Sequence, residues 1–188
     1  MKKYILYAGV NGAGKSTLYR TTRYQDTMPR INTDEILREF GDWRNTADLM
    51  RAGRIAVKRL NSYLQEGVTF NQETTLCGHT IMRTIHKAKQ SGYWIELHYV
   101  GVDSPDIAKQ RIAERVKMGG HGIPDKDVEK RFGESLSNLH QMIDLCDLAA
   151  LYDNTNEFRR FAIYKSGEIV RMSKNIPGWY IKWQKECQ

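Results

Sequence analysis

The stretch Gly9-Val10-Asn11-Gly12-Ala13-Gly14-Lys15-Ser16-Thr17 decides the fold of this chain. It matches the phosphate-binding loop (P-loop) pattern G-x-x-x-x-G-K-[ST] and directly follows an apolar run at residues 4–8. The glycines let several backbone N–H groups point into one concavity that can hold phosphate oxygens. In this pattern the lysine reaches the outer phosphates and the hydroxyl that follows it ligates Mg²⁺. The loop therefore predicts a nucleoside triphosphate site made by Gly9, Asn11, Gly12, Ala13, Gly14, Lys15, Ser16 and Thr17.

Strands and amphipathic helices alternate along the chain, the order that produces a parallel sheet with helices on both faces. Helices show apolar residues at helical spacing, and strands show short runs of branched and aromatic residues. The fold class is therefore α/β: a P-loop NTPase or kinase fold with a parallel five-stranded sheet and a small C-terminal hairpin. We expect strands at 3–8, 29–32, 68–71, 93–100 and 148–152, helices at 34–40 (capped by Thr33), 47–66, 80–90, 105–117 and from 125, and the hairpin at 161–164 and 169–172.

Length and composition limit the possible functions. A chain of 188 residues suits one domain, 1–188, with a lid region at about 111–131 and a hairpin and tail at about 158–188. The net charge of +7 is consistent with an anionic substrate or nucleic acid, and equally with a solvated basic surface. The three scattered cysteines, Cys77, Cys146 and Cys187, argue against a disulfide framework or zinc site and favour a reducing cytoplasm. We expect no signal peptide or membrane-spanning segment.

Polar residues follow the second and third predicted strands, at the sheet edge where α/β proteins bind ligands. Asp34 there can deprotonate an acceptor hydroxyl beside the γ-phosphate; its alternative role is a first-turn acid that stabilises a helix. Glu73 would end the strand beside the P-loop strand. It either joins the Mg²⁺ site with Ser16, accepts hydrogen bonds from substrate hydroxyls, or is a surface acid. Thr75 would add a hydroxyl contact to the substrate.

Arginines flank the Gly-rich turn at 118–124. A lid that closes over a transferring phosphate needs cations, and a helix, Gly-rich turn and second helix form a suitable mobile support. We therefore expect at least one of Arg111, Arg115 and Arg131 to act there. His121, within the turn, either binds phosphate or caps a helix.

Two further features bear on nucleic acid and on regulation by GTP. Trp179, Tyr180 and Trp183 lie in a Lys-containing tail that could stack on bases, but packing of a terminal helix on the sheet is the commoner role. The chain has no Asn-Lys-x-Asp or Thr-Lys-x-Asp segment, which argues against a GTPase switch. We expect no nucleic acid partner and no membrane partner.

Together these residues resemble the zeta toxin family of P-loop kinases. The resemblance follows the family's order over nearly the whole chain, and its Glu-Thr-Thr and Gly-Gly-His blocks are more specific than the P-loop. The resembling segments are GVNGAGKST (9–17), INTDEI (31–36), AGR (52–54), FNQETTL (70–76), GGHGIP (119–124), KRF (130–132) and YDNT (152–155).

The resemblance implies a doubly wound kinase fold that transfers the γ-phosphate of ATP or GTP to a sugar hydroxyl. Characterised zeta toxins phosphorylate UDP-N-acetylglucosamine on the 3′-hydroxyl of the aminosugar, and a helical antitoxin blocks their nucleotide site. This chain is compact and lacks the long insertions that help to shape the sugar-nucleotide site of the larger toxins. It also carries no antitoxin segment.

The resemblance also implies roles for single residues. Lys15 would bind phosphate and Asp34 would be the base. Arg131 would be a lid arginine, with Arg115 as its partner and Arg111 as the alternative. Glu73 and Thr75 would match the family's substrate-contacting Glu-x-Thr. Together with the positions at the strand ends, the P-loop and the lid turn, this gives an expected substrate-binding set of Asp34, Glu73, Thr75 and His121 and an expected metal-binding set of Ser16 and Glu73.

We therefore expect a cytoplasmic kinase that uses Mg²⁺ and ATP or GTP. Its partners would be a hydroxylated small-molecule acceptor and an antitoxin protein. Two alternatives stay open. One is a kinase for another acceptor, such as an antibiotic or a polynucleotide 5′-hydroxyl. The other is a non-catalytic, NTP-binding regulatory module, which would need no base such as Asp34.

Overall fold

The computed structural model describes residues 1–22 and 27–186. Its strands are β1 (Lys3–Ala8), β2 (Arg30–Ile31), β3 (Phe70–Thr74), β4 (Trp94–Gly101), β5 (Leu148–Asp153), β6 (Arg159–Lys165) and β7 (Glu168–Met172). Its helices are α1 (Lys15–Thr21), α2 (Thr33–Arg38), α3 (Thr46–Glu66), α4 (Thr80–Gln90), α5 (Pro105–Lys117), α6 (Asp125–Leu145) and α7 (Gly178–Glu186). Cys187 and the end of the predicted tail lie outside the described residues.

The sheet confirms the predicted architecture. Five strands run parallel in the order β2-β3-β1-β4-β5. The hairpin of β6 and β7 pairs antiparallel with β5, so it extends the same sheet to seven strands. Because β1 lies between β3 and β4, the loop that follows β1 opens at the carboxyl edge of the sheet, where ligands of open α/β sheets bind.

Alternate residues of β1 face two separate cores, as a strand with a period of two requires. Tyr4, Leu6 and Ala8 pack with helices α2, α3, α4, α6 and α7 on one face. Ile5 and Tyr7 pack with α1 and α5 on the other. All five side chains are fully buried, as expected for a central strand of a parallel sheet covered on both sides.

Two local predictions near the P-loop edge need correction. The third strand begins at Phe70 rather than at residue 68 and extends to Thr74, the residues that pair with β1. Glu73 is therefore a strand residue, in register with Tyr7. Thr33 is not the cap of α2. That role belongs to Asn32, whose Oδ1 accepts the backbone N–H groups of Asp34 and Glu35 at 2.9 and 3.3 Å.

The aromatic tail packs on the sheet, as predicted. Trp179, Tyr180 and Trp183 of α7 are buried, and the Trp179 indole donates to Asp153 Oδ1 at 3.3 Å. This packing anchors the C-terminal helix to β5 of the parallel sheet. Within residues 1–22 and 27–186, no helix has the length and apolarity needed to cross a bilayer.

Candidate active site

The P-loop lies tightly between β1, β4 and α5. Gly9, Gly12 and Gly14 have φ angles of 136°, 81° and 106°, in the region that favours glycine. A Cβ on Gly9 would meet the Val100 carbonyl oxygen, and one on Gly12 would lie 2.6 Å from the Ala108 carbonyl oxygen. The backbone can take the shape of a phosphate cradle only because these positions carry no side chain.

Lys15 is buried at the start of α1. Only 6% of the residue is exposed, and its Nζ donates to the Val10 carbonyl oxygen at 3.1 Å. Burial lowers the pKa of Lys15, and the carboxylates of Glu73 and Asp34 oppose that shift. The ammonium is thus held within the P-loop itself, close to two acids.

Ser16 and Glu73 meet as predicted. The Ser16 hydroxyl lies 3.0 Å from both carboxylate oxygens of Glu73. Mg²⁺ prefers oxygen ligands and usually takes only one or two from the protein, the rest coming from water and phosphate. A hydroxyl and a carboxylate beside a phosphate loop are donors of that kind, so these two residues fit a Mg²⁺ ion. No cluster of three or more His, Cys, Asp or Glu side chains suited to a metal occurs in the described part of the chain.

Asp34 lies in the first turn of α2 and lines a cavity of about 830 Å³. Lys15, Glu73 and Thr75 line the same cavity. His121 reaches it from the lid turn, with its Nε2 3.8 Å from Asp34 Oδ1. Burial lowers the pKa of His121, and Asp34 opposes the shift. The structure thus brings the predicted base, the predicted substrate contacts and the phosphate lysine to one cavity.

His121 does not cap the helix that follows it. The N-cap of α6 is Pro124, and no side chain accepts hydrogen bonds from the first turn of that helix. The structure therefore excludes the capping role. His121 instead lines the cavity. Its ring also lies 5.6 Å from that of Trp43.

The lid arginines reach three different places. Arg131 of α6 donates from Nη1 to Asn11 Oδ1 of the P-loop at 3.0 Å. Arg115 of α5 donates from Nε to the His121 carbonyl oxygen at 2.8 Å. Arg111 instead donates to the carbonyl oxygens of Asn154 and Thr155, beyond β5.

Two guanidinium nitrogens of α5 are buried without a partner. Arg115 Nη2 and Arg111 Nη1 make no hydrogen bond within the described residues. A buried cationic donor left unpaired is costly, so contact with an anionic ligand would stabilise either guanidinium after a movement that exposes it. Arg115 is near enough to oppose the charge of both Lys15 and His121, whereas the backbone partners of Arg111 hold it at the loop after β5.

A second set of contacts closes the P-loop from the β5 side. Asn154 Nδ2 donates to the Ala13 carbonyl oxygen at 2.8 Å. Phe158 stacks on Tyr152 with ring centroids 5.6 Å apart and is 38% exposed. An exposed aromatic ring next to a phosphate loop is a surface on which a nucleobase can stack.

Three residues at the site were not predicted from the sequence. Trp43 lines the cavity from the loop between α2 and α3. Asn32 and Arg30 both donate to Glu73 Oε2, at 3.1 and 2.7 Å. The strand-end rule pointed to the segment after β2, but it assigned chemistry only to the acid. Nothing in the sequence distinguishes Trp43 from other surface aromatics.

Comparison with known proteins gives the family and the fold. Residues 5–136 match a family model, AAA_33, described as an AAA domain. An uncharacterized protein of Haemophilus influenzae is 33% identical over 130 residues, which cover 69% of this chain and 92% of that protein.

Solved structures of similar fold include chains from the following two systems. One is the PezAT chromosomal toxin–antitoxin system of Streptococcus pneumoniae, with a TM-score of 0.64, 18% identity, and coverage of 84% of this chain and 71% of that chain. The other is the AvrRxo1-ORF1:-ORF2 complex with ATP, with a TM-score of 0.73, 14% identity, and coverage of 98% and 63%. At these identities the likeness is one of fold. It confirms the P-loop kinase fold that the resemblance to zeta toxins implied.

Proposed function

This chain belongs to the AAA_33 family of AAA domains, and we propose that it is a kinase that transfers the γ-phosphate of ATP or GTP to a hydroxyl group of a small molecule. The observation that carries the proposal is the shared cavity. Lys15, Glu73 and Asp34 line one space of about 830 Å³, with Arg131 at its border. A module that only binds nucleotide does not need a carboxylate base facing the phosphate lysine.

The donor nucleotide would lie along the P-loop. Backbone N–H groups of residues 9–17 and the Lys15 ammonium would hold the phosphates. The nucleobase of this nucleotide would extend toward the exposed ring of Phe158 and the unpaired Nη1 of Arg111, at the loop after β5. Ser16 and Glu73 would hold Mg²⁺, which supplies neutralisation of charge on the β- and γ-phosphates when bound.

Transfer would begin at Asp34. Its carboxylate accepts the proton of the acceptor hydroxyl as that oxygen bonds to the γ-phosphorus. The bond between the γ-phosphorus and the bridging oxygen of the β-phosphate breaks, and the nucleoside diphosphate leaves with that electron pair. The products are a phosphorylated acceptor, ADP or GDP, and one proton.

The lid would supply the remaining positive charge. Arg115 has a buried, unpaired Nη2 near Lys15, and Arg131 already contacts the P-loop through Asn11. Cations held in place before reaction stabilise the charge that develops on the transferring phosphoryl group. We assign Arg115 and Arg131 to this role and Arg111 to the nucleoside.

The acceptor would occupy the far part of the cavity. A volume of about 830 Å³ is near the upper end of the range for small-molecule sites. Trp43, Leu49, Ile123 and Pro124 line the cavity, and Thr75 lines it as well. This space accommodates an acceptor larger than a monosaccharide, and a nucleotide sugar such as UDP-N-acetylglucosamine is the first candidate.

Acceptor screening tests the proposal. The purified protein is incubated with γ-labelled ATP or GTP, Mg²⁺ and one acceptor class at a time: UDP-sugars, antibiotics, or oligonucleotides with a 5′-hydroxyl. We expect label on a UDP-sugar. Label on another class of acceptor would support the kinase assignment and replace the UDP-sugar as the proposed acceptor. Tight nucleotide binding with no transfer to any class would favour a regulatory module.

We also propose a cytoplasmic protein partner of antitoxin type. The support is that two solved structures of similar fold come from a toxin–antitoxin system and from a two-protein complex. Co-purification of the chain with the product of its neighbouring gene tests this. Recovery of the kinase alone would oppose it.

A further inference from the structure

Arg30 joins four elements at the edge of the sheet. From β2, its Nη2 donates to Glu73 Oε2 of β3 at 2.7 Å. Its Nη1 donates to Asn71 Oδ1 at 3.0 Å, and its Nε donates to Glu35 of α2 at 3.1 Å. The guanidinium lies over the Tyr19 ring of α1, 3.7 Å from the centroid. All three guanidinium nitrogens donate hydrogen bonds, and only 11% of the side chain is exposed.

These contacts separate the two oxygens of Glu73. Oε2 accepts from Arg30, from Asn32 and from Ser16. Oε1 accepts from Ser16 alone among residues 1–22 and 27–186. One oxygen is thus held by the protein, while the other stays available to a ligand at the P-loop.

Only arginine can make this set of contacts. Its five N–H donors spread in a fixed plane, so they reach two acceptors on β3 and one on α2 at once. A lysine keeps the charge, but its three donors radiate from one nitrogen and cannot span the same acceptors. Tyr19 fixes the plane by stacking beneath it.

We propose that Arg30 is a positioning residue that orients Glu73 toward a divalent cation held with Ser16. The proposal rests on the proposed function, because it concerns the Mg²⁺ that would accompany the nucleotide. Residues that hydrogen-bond to a metal-coordinating side chain fix the orientation of that side chain, and their loss typically lowers metal affinity about 10–100-fold. Arg30 would act in this way without touching nucleotide or acceptor.

The test measures how much Mg²⁺ strengthens nucleotide binding. The affinities of mant-ATP and mant-GTP are determined by fluorescence in Mg²⁺ and in EDTA. For each nucleotide, the ratio of the affinity in Mg²⁺ to the affinity in EDTA gives the contribution of the cation. Arg30→Lys keeps the positive charge but removes the planar set of donors that contacts Glu73, Asn71 and Glu35. We expect the ratio to fall about tenfold while the affinity in EDTA stays unchanged. Arg59→Lys is the matched control, because Arg59 pairs with Glu39 at 3.5 Å on the outside of α3.

A second pair of variants keeps the test open if Arg30→Lys fails to fold. Tyr19→Leu removes the ring beneath the guanidinium, and Tyr19→Phe retains it. Only the leucine variant should lower the Mg²⁺ ratio. The proposal is overturned if the folded variants keep the wild-type ratio, or if affinity falls equally in Mg²⁺ and in EDTA. A changed ratio in a protein that transfers no phosphate would leave this proposal standing and remove the kinase assignment.

Discussion

Single residues at this site serve two elements at once. Asn32 caps α2 through its Oδ1 and donates from its Nδ2 to Glu73 and Glu35. The same side chain therefore starts the helix that carries Asp34 and restrains the carboxylate opposite the P-loop. A cap of this kind contributes about 1 kcal/mol to the helix, and here it also fixes the position of the proposed base.

His121 gives a prediction at the residue scale. Burial lowers its pKa below the ordinary 6.5, with Arg115, Arg38 and Arg131 adding to the shift and Asp34 opposing it. As the pH falls, His121 therefore takes up its proton at a higher pH in the unfolded chain than in the folded protein. Stability is lost as the pH falls below about 6.5. His121→Gln removes this contribution. Between about pH 7.5 and 5.5, the free energy of unfolding of this variant, measured in urea, should fall less than that of the wild-type protein. Parallel pH profiles of the two proteins would contradict the prediction.

The residues that could be predicted carry a local signal. The P-loop has fixed spacing, and Asp34 follows a strand at the edge where ligands bind. Arg30 and Asn32 gain their roles from β3, about 40 residues away. No local pattern shows that pairing, because it depends on the register of two parallel strands. The wrong cap has a local cause, since Asn32 and Thr33 are adjacent and both are good capping residues.

At the scale of elements, the lid turn packs directly on the loop between α2 and α3. Gly122 lies against Trp43, and a Cβ at residue 122 would be 2.6 Å from Trp43 Cη2. Because the lid and the acceptor-side loop touch here, this contact sets how closely the lid approaches Asp34. Arg131 provides the second link, from α6 to the P-loop.

Gly122→Ala tests the contact between the lid turn and Trp43. We expect the added methyl group to lower the free energy of unfolding by about 1–3 kcal/mol through overpacking. Trp43→Phe shortens the ring, so the double variant should recover part of the loss. Urea unfolding of the two single variants and the double variant gives the coupling energy. Additive losses would show that the two residues do not meet.

Element order was predictable, and exact boundaries were less so. The helices at 80–90 and 105–117 agree with the structure because Ser104 and Pro105 signal a start and the apolar spacing is regular. The third strand was placed two residues too early, since Val68 and Thr69 favour strands in isolation. Pairing with β1 sets its actual limits.

At the scale of the whole molecule, the C-terminal helix completes the core of the kinase fold. Trp179 packs against Gly101 at the end of β4, where a Cβ would overlap its ring. Its backbone N–H donates to Asp103 at 2.9 Å. The segment beyond the parallel strands is thus built into the same sheet as the P-loop strand and into the core on one face of that sheet.

Trp179→Ala should destabilise the whole chain by about 3–5 kcal/mol, as expected for loss of a buried tryptophan. Ile181→Ala on the same helix is the control, because Ile181 is 43% exposed. That substitution should change stability by less than about 0.5 kcal/mol. Urea unfolding followed by circular dichroism measures both. Equal effects would mean that α7 is not part of the cooperative core.

Asp34 is the residue on which the proposed phosphotransfer reaction depends most, because it would be the base. The most direct measurement is the rate of label transfer from γ-labelled ATP to the acceptor found by screening, made with Asp34→Asn and with the exposed control Asp106→Asn. We expect Asp34→Asn to lose at least about 100-fold in transfer rate, the contribution of a general base, while its mant-ATP affinity stays near that of wild type. Asp106→Asn should transfer normally. Transfer by Asp34→Asn at the wild-type rate would contradict the account.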